Sequence, residues 1–138
     1  IDTETELLIQ DSLEKMKNIG TMLIVAHRLS TIQHADNIIL LSKGQILEQG
    51  SVEEIFENPQ HPYTKGLFAS IPSLDVDVER LRPIPGLMTD PTDLPSYCSF
   101  YDRCEYRCDQ CKEIDPAAIE IEPGHFVKCF NCGKKVQE

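Results

Sequence analysis

The sequence of 138 residues contains no tryptophan, and only 13 lysine and arginine residues stand against 23 aspartate and glutamate residues. The resulting net charge of −10 argues against direct binding to nucleic acid or anionic lipid, because both would repel the chain. No apolar run approaches the length of a membrane span, and no basic region followed by an apolar core opens the sequence. We therefore expect neither a signal peptide nor direct membrane insertion.

A phosphate-binding loop of the form G-x-x-x-x-G-K-[ST] is also missing. Such a loop supplies the backbone N–H groups and the lysine that hold nucleotide phosphates. We therefore expect the chain alone neither to bind nor to hydrolyse ATP appreciably. Its hydrophobic content of 41% is nevertheless ordinary, which excludes wholesale disorder and allows one domain or two small ones.

The segment from Thr21 to Gly50 has the clearest pattern. Met22 to Ala26 is a continuous apolar run, typical of a strand buried on both faces of a parallel sheet. His27 follows at the carboxyl end of this strand, where α/β sheets bind ligands. The next residues predict a helical turn over 29–35, a buried strand over 38–41, a turn at Lys43-Gly44 and a strand over 45–49.

Helices are predicted on both sides of this segment. Residues 3–18 form an amphipathic pattern whose apolar side should cover the sheet, through Leu7, Leu8, Leu13 and Met16. Ser51 caps a second helix, and Pro62 suits the first turn of a third helix that runs to about Ser70. We expect the third helix to act in packing, with no catalytic role for His61 or Tyr63. Together these elements predict an incomplete α/β layer.

The stretch IVAHRLSTIQHADNIILLSKGQILEQGS resembles the histidine-switch segment of ATP-binding cassette (ABC) ATPases, particularly exporter-type subunits. IDTETE at residues 1–6 resembles the D-loop of the same family. The resemblance implies an incomplete P-loop NTPase sheet in which His27 contacts the γ-phosphate and Asp2 acts across the nucleotide-binding dimer. From the residues alone, His27 could instead cap a strand end and Asp2 could be a helix N-cap.

The segments VEEIFENPQHPYTKGLFASIPSL (52–74) and RLRPIPGL (80–87) resemble the C-terminal extension of the ATP-binding subunits of oligopeptide and dipeptide importers. We therefore predict two domains, residues 1–58 from the nucleotide-binding domain and residues 59–138 as a loop-rich extension. Exporter-like and importer-like segments in one chain leave the direction of transport open. For the full subunit, the resemblance implies ATP and Mg, a second ATP-binding subunit, membrane-spanning permease subunits, and a cytoplasmic position on the inner face of the membrane.

Six cysteines occupy the last third of the sequence, where they favour metal binding over disulfides. The importer resemblance implies that four of them hold a [4Fe-4S] cluster, as in some members of that family. This first set is Cys98, Cys104, Cys111 and Cys129.

A second set has the C-x2-C-x17-C-x2-C spacing of a zinc ribbon, in which each close pair binds from a tight knuckle. It consists of Cys108, Cys111, Cys129 and Cys132. The two sets share Cys111 and Cys129, so they cannot both be filled, and reduced cysteines or disulfides without metal are a third alternative. In either set the metal would be structural, and His125 is expected to make a turn contact rather than bind it.

The leading hypothesis from the sequence is the C-terminal portion of the ATP-binding subunit of a peptide transporter. Its rival is a non-enzymatic, metal-stapled interaction module in which residues 1–50 provide only scaffold. A truncated or hybrid product without function is the third interpretation.

Overall fold

The structure is a computed structural model that describes residues 3–26, 29–70, 84 and 92–130. The chain divides into an amino-terminal unit, residues 1–36, and a carboxyl-terminal unit, residues 37–138. It is a small α/β arrangement with five helices and one four-stranded antiparallel sheet in the described ranges. In those ranges, no helix combines the length and the apolar character that crossing a bilayer requires.

The amino-terminal unit contains helix α1 (Thr3–Met16), a 3-10 turn (Lys17–Ile19) and the short helix α2 (Leu29–Ile32). The prediction that Met22 to Ala26 forms a buried strand is wrong. These residues form no strand, and Leu23 and Val25 are each 86% exposed. A strand needs a hydrogen-bonded neighbour, and all four described strands belong to the other unit.

Helix α1 follows its predicted span closely, but its apolar side is not covered as expected. Leu7, Leu8 and Met16 are each half or more exposed, and only Leu13 is partly buried. The helix can form without this burial because its backbone hydrogen bonds are local. The sheet that was expected to cover it is absent from the described part of this unit.

The sheet of the carboxyl-terminal unit begins with a hairpin of strands β1 (Asn37–Ser42) and β2 (Gln45–Ser51). Lys43 and Gly44 have φ values of 51° and 75°, the two left-handed residues of a tight hairpin turn. The predicted turn and strands are confirmed, but β1 is not buried on both faces. Its residues alternate between buried and exposed because it is an edge strand with one covered face.

The strand order is β1-β2-β4-β3, where β3 is Ile119–Glu122 and β4 is His125–Val127. Strand β4 pairs with β2 through Glu48 opposite Val127 and Gln49 opposite Phe126. The sheet therefore joins residues on both sides of position 58. The division into domains at that position stays a prediction.

Three helices accompany the sheet: α3 (Val52–Glu57), α4 (Pro62–Ala69) and α5 (Gln110–Glu113). Helix α3 begins with the predicted cap at Ser51, and the Ser51 hydroxyl and the Glu54 carboxylate complete a reciprocal capping box. It packs against β1 and β2. The buried apolar residues of the described ranges all lie in the carboxyl-terminal unit and form its core: Ile38, Leu40, Leu47, Ile55, Phe100, Cys111 and Val127.

Candidate functional site

The four cysteines of the first predicted set line one small pocket, which is partly open to solvent. Cys98 and Cys104 flank a 3-10 turn (Tyr101–Arg103), Cys111 lies on α5, and Cys129 follows β4. The backbone N–H of Cys98 donates to the carbonyl oxygen of Cys111 at 3.1 Å, which holds two of these segments together. The remaining lining is mostly apolar or aromatic: His61, Pro62, Phe100, Tyr101, Pro116 and Phe130.

The hairpin turn positions the loop that carries Cys98. Lys43 Nζ donates to the carbonyl oxygen of Ser99 at 3.1 Å, and the Ser99 hydroxyl donates to Gln45 Oε1 at 3.2 Å. On the opposite side, Lys128 forms an ion pair with Asp115 at 2.5 Å. These contacts bring together segments far apart in the sequence, so the pocket can present the four thiolates that a [4Fe-4S] cluster requires.

Burial changes the acid–base behaviour of these thiols. It raises the pKa of Cys98 and Cys111, and it raises the pKa of Cys104 to about 11. Backbone hydrogen bonds lower the pKa of each of these thiols, but by less than burial raises it. Because the thiolate is the nucleophilic form, these three residues lack the lowered pKa of a catalytic cysteine. The raised pKa values therefore give no support to covalent catalysis in the cysteine pocket.

The second predicted set is brought together only in part. Cys108 Sγ and Cys111 Sγ lie 3.4 Å apart, as expected of a C-x2-C knuckle. Four sulfurs around zinc would be mutually about 3.8 Å apart, from Zn–S bonds of about 2.3 Å. Within the described ranges, no three cysteine sulfurs lie within 4.8 Å of one another. Cys132 lies outside the described residues, and none of the five described cysteines is in a disulfide.

A buried carboxylate lies beside the cysteine pocket. Glu48 on β2 is 0% exposed, and its two oxygens accept hydrogen bonds from the backbone N–H groups of Gln60 at 2.7 Å and His61 at 3.0 Å. Glu48 Oε1 also lies 2.8 Å from Nε2 of the equally buried His125. One side chain therefore ties the start of α4 to the sheet. Such bonds to a charged group are about twice as strong as neutral ones.

His61 caps α4, since its Nδ1 accepts a hydrogen bond from the backbone N–H of Tyr63 at 3.0 Å. The rings of His61 and Tyr63 pack edge-on against Phe100 at centroid distances of 5.6 and 5.8 Å. Burial lowers the pKa of His61 to about 4, with a smaller contribution from Lys128, so the ring is neutral at pH 7. The His-Pro-Tyr sequence therefore acts in packing, as predicted, and the rings of His61 and Tyr63 contact Phe100, which lines the cysteine pocket.

The prediction for His125 is wrong. This residue makes no turn contact but begins β4, fully buried, with its ring bonded to Glu48. The sequence analysis also missed Glu48, because a glutamate in a strand ordinarily faces solvent. A bulge between Leu40 and Leu41 in the β1–β2 pairing leaves both Leu47 and Glu48 buried, and no local pattern indicates it.

The two residues assigned to nucleotide chemistry, His27 and Asp2, lie outside the described residues. Their roles stay predictions.

Comparison with known proteins gives a match for part of the region that carries this site. Residues 47–111 match the family model "Oligopeptide/dipeptide transporter, C-terminal region". The chain is 34% identical over 124 residues to the oligopeptide transport ATP-binding protein AppD of Bacillus subtilis, covering 89% of the chain and 37% of AppD. It is 38% identical over 121 residues to the dipeptide transport ATP-binding protein DppD of Caldanaerobacter subterraneus, covering 85% of the chain and 36% of DppD. The chain thus spans little more than a third of these relatives.

Proposed function

We propose that this chain, which matches the C-terminal region of the oligopeptide/dipeptide transporter family over residues 47–111, is the C-terminal portion of an ATP-binding subunit that couples ATP hydrolysis to peptide transport. The family match over residues 47–111 carries the proposal. That match begins on β2 beside Glu48 and ends at Cys111, so it contains both partners of the Glu48–His61 contact. Both relatives are named for peptide transport, which favours a peptide substrate.

The alignment with AppD covers 89% of the chain, so it includes most of the exporter-like segment as well as the importer-like one. In our proposal, residues 1–58 therefore belong to the nucleotide-binding domain of the same subunit. In that domain His27 contacts the γ-phosphate of bound ATP, and Asp2 lies at the interface with a second ATP-binding subunit. In the full subunit, other residues supply the phosphate-binding loop and the ligands of Mg.

The proposed setting is the cytoplasmic side of the membrane, with membrane-spanning permease subunits as partners. The negative charge of the chain supports attachment through protein rather than through lipid headgroups. Residues 59–138 act as the extension of the subunit, braced by the Glu48 contacts and the cysteine pocket.

A chimeric subunit tests this function. The C-terminal third of Bacillus subtilis AppD is replaced by this chain, and oligopeptide uptake is measured in cells that lack AppD. We expect uptake to be restored by the chimera and abolished by His27→Ala. The matched control is His34→Ala, which removes an exposed histidine from the same unit and should preserve uptake. A chimera that accumulates normally and transports equally well with His27→Ala would contradict the role of His27 and favour a scaffold or interaction module.

We further propose that Cys98, Cys104, Cys111 and Cys129 hold a [4Fe-4S] cluster in this extension. Their shared pocket supports this set over the zinc set. Bound there, the cluster would add a covalent link between the loop before the 3-10 turn, α5 and the segment after β4. The residues of the chain bring the thiols together and surround them with apolar groups.

Metal analysis of anaerobically purified protein tests the cluster. We expect iron and acid-labile sulfide in the parent chain, their loss in Cys104→Ser, and their retention in Cys108→Ser. The two cysteines are matched because each belongs to only one of the two sets. Zinc that is lost with Cys108→Ser and retained with Cys104→Ser would establish the ribbon instead, and a protein without iron or zinc would remove both assignments.

A further inference from the structure

A second group of metal-binding side chains contains no cysteine. The carboxylates of Glu54 and Glu122 and a ring nitrogen of His125 lie within 4.8 Å of one another. Glu54 is in the first turn of α3, whereas Glu122 and His125 are cross-strand partners in the β3–β4 hairpin. Three elements therefore converge on one point of the carboxyl-terminal unit.

His125 supplies the observation that points to a ligand. Its ring is fully buried, and Nε2 is hydrogen-bonded to Glu48 at 2.8 Å. The other ring nitrogen, Nδ1, is buried without a hydrogen-bond partner. Leaving such an atom unsatisfied destabilises the folded chain. When Nε2 donates its proton to Glu48, Nδ1 presents a lone pair, and a carboxylate behind the ring in this way is the usual support of a metal-binding histidine.

Glu54 is held in place for the same role. Its Oε2 accepts hydrogen bonds from the backbone N–H of Ser51 at 2.9 Å and from the Ser51 hydroxyl at 3.0 Å. These two bonds fix the carboxylate at the start of α3. Both bonds use Oε2, so Ser51 does not engage Oε1.

Gly50 permits the approach of these groups. A Cβ atom at Gly50 would lie 3.0 Å from Glu54 Oε2 and 3.3 Å from Cδ2 of His125, closer than most side-chain contacts. Glycine therefore leaves room for the Glu54 carboxylate and the Cδ2 edge of the His125 ring beside the β2 backbone. Glu122, the third member of the group, is exposed.

We propose that Glu54, Glu122 and His125 form a binding site for a divalent transition-metal ion, with Nδ1 of His125 and one oxygen of each glutamate as protein ligands. One imidazole and two carboxylates suit ions between the hard and the soft class, such as Mn²⁺, Fe²⁺ and Zn²⁺. Water completes the coordination. The ion joins the capped end of α3 to the β3–β4 hairpin, and the site is separate from the cysteine pocket in its residues and in its ligand chemistry.

Mn²⁺ is the probe of choice because it favours carboxylate and imidazole over thiolate, which keeps the cysteines out of the measurement. Binding to the full 138-residue chain is followed by the loss of the free Mn²⁺ signal in electron paramagnetic resonance. Paramagnetic broadening of NMR amide signals locates the ion. We expect one Mn²⁺ per chain, with broadening centred on Glu54, Glu122 and His125.

Glu122→Gln is the informative variant, because this exposed side chain can change without unfolding the protein, whereas a change at buried His125 would disturb the core. We expect it to weaken Mn²⁺ binding at least about tenfold. Glu54→Gln should do the same while it preserves the capping box, since glutamine also serves at that position. Glu53→Gln removes the same charge from an exposed neighbour on α3 and should leave the affinity unchanged. Equal Mn²⁺ affinity in all four proteins, broadening centred elsewhere, or no binding at millimolar Mn²⁺ would overturn the proposal.

Discussion

The two units of this chain contain similar apolar residues but bury them to different extents. In the described part of residues 1–36 no side chain is fully buried, and Leu23 and Val25 are almost completely exposed. In residues 37–138, Ile55, Val127 and even the polar side chains of Glu48 and His125 are sealed from solvent. The difference lies in pairing: the second unit has a hydrogen-bonded sheet to pack against, and the described part of the first has only helices and an unpaired run.

An apolar pattern in the sequence shows which residues need to be buried. It does not show which surface will cover them. Helix α1 forms because its hydrogen bonds close within four residues. A strand such as the one predicted at Met22 to Ala26 depends on neighbours that come from elsewhere. A substitution in one unit measures the stability of that unit separately from the stability of the other.

The largest effect is expected from Glu48→Ala, which removes the acceptor for two backbone N–H groups and for the ring of His125. Removing one partner of a buried charged network typically costs about 3–5 kcal/mol. We expect a loss of this size in the free energy of unfolding of the carboxyl-terminal unit, measured by denaturant titration with amide hydrogen exchange. Glu48→Gln keeps one acceptor oxygen and should lose less. A loss below about 1 kcal/mol for alanine would show that Glu48 does not hold the sheet and α4 together.

A matched pair of truncations measures burial in the two units directly. Ile55→Ala empties a position that is 0% exposed and should cost about 2–5 kcal/mol. Leu23→Ala changes a side chain that is 86% exposed and should stay within about 0.5 kcal/mol. Both are read from denaturant unfolding of the isolated chain. Comparable losses at the two positions would mean that the amino-terminal unit buries Leu23 after all.

Acid should destabilise the carboxyl-terminal unit through His61. Its pKa is about 4 in the folded protein, against about 6.5 when unfolded, so between these values the unfolded chain binds a proton that the folded chain does not. The contribution is complete above pH 6.5 and is lost as the pH falls towards 4, to a total on the order of 3 kcal/mol. The charged group that bears on this ring is Lys128, whose charge opposes protonation.

The measurement is the unfolding midpoint from pH 7 to pH 4 for the parent chain and for His61→Asn. Asparagine can still cap α4 but does not titrate in this range. We expect a steeper decline in the parent than in the variant. Identical slopes would show that His61 becomes protonated without cost.

The smallest effect concerns the cap of α3. Ser51→Ala removes the hydroxyl that accepts the Glu54 backbone N–H at 3.2 Å and should cost about 1 kcal/mol. Ser51→Thr keeps the hydroxyl and should be close to neutral. Thermal unfolding of both variants checks this, and a neutral alanine substitution would show that Glu54 alone maintains the start of the helix.

Much of the local structure could be predicted because its causes lie within a few residues. Lys43-Gly44 predicted the hairpin turn, Ser51 the cap, and Pro62 the first turn of α4, and all three are confirmed. The ligand set of the candidate site was harder to predict from the sequence. The cysteine spacing allowed two ligand sets, and it was the approach of distant segments that placed Cys98, Cys104, Cys111 and Cys129 around one pocket.

Sequence alone determined where this chain turns, where its helices are capped and which residue types are available as ligands, because backbone geometry and capping are local properties. Only the tertiary structure decided that β4 pairs with β2, that Glu48 and His125 meet in the interior across 77 positions of sequence, and that Leu23 and Val25 remain exposed. Those outcomes depend on which surfaces meet. A one-dimensional pattern does not contain that information, since the same apolar residue is buried beside a partner strand and exposed without one.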